Sequence, residues 1–134
     1  TFYYIDAVCY GIERLGDNQC SAILNQLQNL PYLRNQVLTD VVQEDFIIDR
    51  MAILALSVAR AMIRCGLKQG IPTLINYLKD VRAPMREHAY ELLVTYTGMD
   101  FKLDVKDWTR WYDQTDIKLI PQPDTTLTEA QKNW

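Results

Sequence analysis

The chain repeats itself across a glycine. Arg14-Leu15-Gly16-Asp17-Asn18-Gln19, followed by Leu24, returns as Arg64-Cys65-Gly66-Leu67-Lys68-Gln69, followed by Leu74. In each copy a segment with apolar residues at helical spacing runs into Gly and a second, shorter one begins at once. That is the pattern of two antiparallel helices joined through a glycine stop, so the chain reads as stacked helical hairpins. Its 134 residues make one domain, and 49% of them are apolar with no long uncharged run. Such a composition supports a packed globular core and argues against disorder or a membrane span. The net charge of -3 argues against a nucleic-acid surface, which needs a clustered basic excess.

Periodicity places the helices. Ile5, Val8, Ile12 and Leu15 predict a first helix stopped at Gly16, and Asp17 caps a second over about 18–28 whose apolar side is Ala22, Ile23, Leu24 and Leu27. Pro31 breaks the pattern, and the mixed stretch 30–45 has room for one short helix. Residues 46–65 form the strongest helix, apolar almost all round, with Asp49, Arg50, Ser57, Arg60 and Arg64 confined to an arc of roughly 100°. It is therefore the expected centre of the domain.

Ile71, Leu74, Ile75 and Leu78, then Met85, Ala89, Leu92, Leu93 and Tyr96, define the next hairpin. Pro72 and Pro84 suit the first turns of its two helices, and Gly98 is a third stop. Asp104 caps a further helix to Gln114 whose Val105, Trp108, Trp111 and Tyr112 share one face. From Thr115 the chain reads as an extended tail with Pro121 and Pro123, ending in a helical turn near 128–132 before Trp134.

Chemistry is sparse. Cys9, Cys20 and Cys65 share no CxxC spacing and read as buried free thiols rather than a zinc site or a disulfide. His88, the single histidine, lies on the apolar side of its helix beside Met85 and Leu92 and reads as a core residue. Glu44, Asp45 and Asp49 gather at a helix start, where the dipole favours negative charge. No phosphate loop, nucleophile elbow or metal-spaced His pair is present, so neither a catalytic residue nor a metal or cofactor is expected.

A binding face is the better expectation. Alternate helices would present Asp6 and Tyr10, then Arg60 and Arg64, then Arg86 and Tyr90, a set suited to peptide or carboxylate groups. The plainer reading makes them a solvated face paired with Asp49, Glu87 and Glu91. On the binding reading, alanine at both Arg60 and Arg64 leaves the melt intact. Trp108, Trp111 and Tyr112 could form a platform for sugars or peptides, but at helical spacing beside Phe101 they are expected to cap the core.

The pieces Leu15-Gly16-Asp17, Gly70-Ile71-Pro72-Thr73-Leu74-Ile75-Asn76-Tyr77-Leu78 and Arg86-Glu87-His88-Ala89 resemble HEAT-like repeats of the bacterial type. Tyr96-Thr97-Gly98-Met99-Asp100-Phe101, with Asp104 and Trp108-Thr109-Arg110-Trp111-Tyr112, resembles the ending of such arrays. The resemblance spans roughly 3–114. It implies an all-α, HEAT-like superhelix of about six or seven helices over 1–114, with an insertion near 30–45 and an extended tail over 115–134. The glycine stops are spaced 50 and 32 residues apart, against roughly 40 to 47 for HEAT units. Two full hairpins with partial units are therefore expected, the first helix being covered by upstream repeats or a partner. The function implied is a non-catalytic scaffold that binds a protein or peptide, as the C-terminal part of a larger bacterial protein. Because phycobilin lyases and alkylpurine DNA glycosylases are also HEAT-like, the alternative is a lyase-like enzyme or an ancillary module of one; the acidic charge disfavours the glycosylase.

Overall fold

Helix-forming periodicity, proline starts and glycine stops translate directly into backbone. The computed structural model describes residues 2–15, 20–40 and 46–123. Expectations that fall on Gly16 to Gln19, on Glu44 and Asp45, and on the last turn and Trp134 of the tail lie outside them. The described residues are all-helical: α1 (Phe2–Leu15), α2 (Ser21–Gln28), α3 (Phe46–Arg64), α4 (Ile71–Tyr77), α5 (Ala83–Thr97) and α6 (Val105–Gln114), with no strand. None of these helices is long and apolar enough to cross a membrane.

The stops work through hydrogen bonding. At the end of α3, Gly66 takes φ +82°, where a side chain would be strained. The Leu67 amide then donates to the Met62 carbonyl at 2.8 Å and the Gly66 amide to the Ile63 carbonyl at 3.0 Å. These paired bonds satisfy the last carbonyls of the helix. Gly98 closes α5 in the same left-handed region, and the Asp104 side chain caps α6 by accepting from the Asp107 amide.

α3 is the centre, packing against α1, α2, α4 and α5, while α4 also meets α5 and α6. Its Leu54, Leu56, Val58, Met62 and Ile63 are buried, as are Leu24, Ile71, Leu74 and Leu93 around it. Two expectations change. Leu15 is 64% exposed, because α1 buries the stripe Ile5, Cys9, Ile12 and Glu13 instead. In α2, Leu24 is buried and Leu27 half-buried, but Ala22 and Ile23, expected on its apolar side, are exposed. In the described part of the 30–45 stretch, residues 30–40, a 3-10 turn at Pro31–Leu33 leads into an arm without regular structure. Asn35, at φ +58°, turns this arm.

The start of the tail is pinned to the end of α3. The Gln122 amide donates to the Arg64 carbonyl at 2.7 Å and Arg64 Nε donates to the Gln122 carbonyl at 3.1 Å. A Cβ on Gly66 would stand 3.2 Å from Pro121 Cγ, so the glycine also admits the tail.

Candidate functional site

The arginines of α3 turn toward α1. Arg60 donates from Nε and Nη2 to the Glu13 carboxylate at 2.7 and 3.3 Å, and its guanidinium lies 5.6 Å from the Tyr10 ring centre. Arg64 stands 4.0 Å from the same carboxylate, donates to the Tyr96 hydroxyl at 2.7 Å and lies over that ring. Glu13 is only 1% exposed, so these arginines neutralise a buried charge. Asp6 faces Arg50 at 3.8 Å.

Arg86 and Tyr90 do not join this group. Arg86 donates to the Asp80 carbonyl and Tyr90 to the Asp100 carboxylate. At about 100° per residue they leave α5 on a side roughly opposite to His88, and it is His88 that feels the charge of Arg60. The expected partners also differ: Arg60 pairs with Glu13 rather than with Asp49, Glu87 or Glu91, and Asp49 accepts from Arg82 at 2.8 Å.

His88 is half-buried. Burial, and then the Arg60 charge, hold its pKa below the usual histidine value despite the opposing Glu91. The Cys9 thiol is pushed up to about 12 by burial and the neighbouring carboxylates, which makes it inert near neutrality. Among the described residues no group of three His, Cys, Asp or Glu could hold a metal ion.

The aromatic residues divide. Trp108 is fully buried, donates from Nε1 to the Lys102 carbonyl at 2.8 Å, and packs edge-on against Phe101 and Trp111. Tyr112 instead lines a cleft.

That cleft, of about 530 Å³, lies between the 33–37 arm, α4 and α6, within the usual range for ligand sites. Its lining includes the apolar Leu33, Val37, Ala55, Ile75 and Val105, with half-buried Gln28, Gln36 and Thr73 beside them. Exposed around it stand Arg34, Asn35, Asn76, Lys79, Thr109 and Asp113. Gln28 ties α2 to α4 along one side, its amide donating to the Gln69 carbonyl at 3.1 Å and to Thr73 Oγ1 at 2.8 Å. Tyr77, 3% exposed, lines the cleft too, and its buried hydroxyl has no hydrogen-bond partner among the described residues.

A buried ionic knot sets the arm in place. Arg82 donates to both oxygens of Asp80, at 2.9 and 2.7 Å, and reaches the Asp49 carboxylate and the Gln36 carbonyl, each at 2.8 Å. Asp80 also accepts from the Leu38 amide, and the Val81 amide donates to the Leu38 carbonyl. Burial pushes the Asp80 carboxyl up, but the hydrogen bonds from Arg82 and Leu38 prevail and hold it below the usual carboxylate range. Sequence reasoning missed this knot and the cleft behind it. The one local signal is Asp80 and Arg82 flanking Val81 just ahead of Pro84, where a short Asp-x-Arg turn can close on itself.

Neither a protein-family model, nor a curated protein, nor a solved structure matches this sequence.

Proposed function

We propose that the chain is a non-catalytic interaction module, a HEAT-like stack of helical hairpins that holds a segment of another protein in the cleft between the 33–37 arm, α4 and α6. The observation that carries this reading is a cleft with fixed walls and uncommitted polar groups. The Asp80–Arg82 knot anchors the arm, while the side chains of Asn35, Asn76 and Tyr112 make no hydrogen bond within the described protein. Preformed walls lower the ordering cost of binding, and free carboxamides can donate to and accept from a peptide backbone at once. The packing of α1 on one part of α3 and of the paired α4 and α5 on another supports a stack of hairpins. Arg60 and Arg64 are committed to Glu13, and Arg64 also to Tyr96 and Gln122, so the proposed site is the cleft instead.

A photo-cross-linking amino acid placed at Asn76 tests the proposal, with one placed at exposed Tyr10 as the comparison. One defined protein cross-linked in the native cells from Asn76 and not from Tyr10 supports it. Cross-links from Tyr10 alone, or from neither position, overturn it.

A further inference from the structure

The charged groups that line the cleft are Arg34, Lys79 and Asp113, and the rest of its polar lining is neutral amide and hydroxyl groups that both donate and accept. Arg34 and Lys79 supply cationic donors, against Asp113 as the one carboxylate of the lining; Asn35 and Asn76 add carboxamides, and the buried Tyr77 hydroxyl has no partner among the described residues. The local charge is therefore about +1, in a chain whose net charge is -3. Beneath lie the aliphatic side chains of Leu33, Val37, Ile75 and Val105. An occupant complementary to this lining offers negative charge to Arg34 and Lys79 and apolar surface to the floor.

We infer that the cleft recognises a carboxylate carried on an apolar body, seated with its charge toward Arg34 and Lys79 and its aliphatic part on the Leu33–Ile75 floor. A single negative charge matches the local excess. A phosphate dianion would exceed the local excess and add repulsion beside Asp113. A neutral ligand would leave the cationic donors without charged acceptors, forgoing the stronger hydrogen bonds they make to a carboxylate. The inference rests on the proposed binding site, and two sources share this chemistry: an acidic residue between aliphatic ones in a peptide, or a free aliphatic acid.

The test is a titration of the ¹⁵N-labelled protein, followed by NMR, with three probes: acetyl-Leu-Val-Glu-Leu-Val-amide, the same peptide with Gln for Glu, and octanoate. The expected result is movement of the Asn35, Asn76, Lys79 and Tyr112 amides with the Glu peptide, at least about tenfold weaker binding of the Gln peptide, and a similar loss with Arg34→Glu or Lys79→Glu. Both basic side chains are exposed, and circular dichroism melts check that the variants stay folded. Octanoate binding at the same amides without the Glu peptide keeps the carboxylate chemistry but removes the protein-segment reading. Equal binding of the Glu and Gln peptides, shifts confined to other faces, or no shift with any probe overturns the inference. Cross-linking from Asn76 together with indifference to Glu or Gln leaves the interaction module standing and removes only the carboxylate.

Discussion

Replacing Arg60 with Ala should destabilise the fold by about 2–3 kcal/mol. Breaking a buried ion pair by deleting one partner typically costs about 3–5 kcal/mol, because the remaining charge stays desolvated. Here Glu13 is 1% exposed and loses donors at 2.7 and 3.3 Å, but the Arg60 side chain is itself 21% exposed and Arg64 remains at 4.0 Å. Those two facts place the expectation at or below the lower end of the range. For 134 residues the unfolding entropy is about 0.28 kcal/mol/K, so Tm should fall by about 7–11 °C. Far-UV circular dichroism measures it. Replacing both partners with apolar residues, Glu13→Leu with Arg60→Met, should recover most of the loss. An Arg60→Ala melt within about 2 °C of the parent, or a double variant no better than the single, would refute the buried-pair argument. The outcome expected here reverses the sequence-based expectation that alanine at Arg60 and Arg64 leaves the melt intact.

Because the chain has one histidine, its NMR titration is unambiguous: the His88 midpoint should lie below 6.5 and move upward in Arg60→Ala, since burial and the Arg60 charge both depress it. With the folded-state pKa below the unfolded one, this contribution to stability is complete above about pH 6.5 and is lost as pH falls through the folded value, so His88→Gln should flatten that part of a Tm-against-pH curve. Gly70→Ala should lower the urea midpoint by an amount equivalent to about 1–3 kcal/mol, because its Cβ would stand 2.6 Å from the Ala59 carbonyl oxygen. Gly11→Ala, where a Cβ meets nothing within 4 Å, should raise the midpoint.

The helices were legible wherever the signal was local. Pro72 and Pro84 sit in the first turns of α4 and α5, Gly66 and Gly98 end α3 and α5, and Asp104 caps α6, each through backbone chemistry confined to four or five residues. Burial was less legible where it depended on a distant partner. Apolar spacing favoured Leu15 over Glu13, yet Glu13 is the buried residue, because two arginines from α3 reach it. A charged residue on a helix carries no mark of the cation that will meet it 47 positions later.

The cleft was illegible for a related reason. It is assembled from residues near 28–37, 72–79 and 105–113, and each contributing side chain alone is an ordinary surface polar group or core aliphatic. What unites them is the arm, a stretch without regular structure whose buried backbone groups still require partners. A helix or strand would satisfy them internally or along a ladder. Here the Gln36 carbonyl and the Leu38 amide are met by Arg82 and Asp80, and the Leu38 carbonyl by the Val81 amide. The buried charges thus replace a missing ladder, which explains why an ion pair sits at Asp80 and Arg82 where apolar residues would pack more favourably. The ionic knot thus fixes the arm by its backbone at Gln36 and Leu38, and the arm fixed in this way supplies Leu33 to Val37 to one side of the cleft.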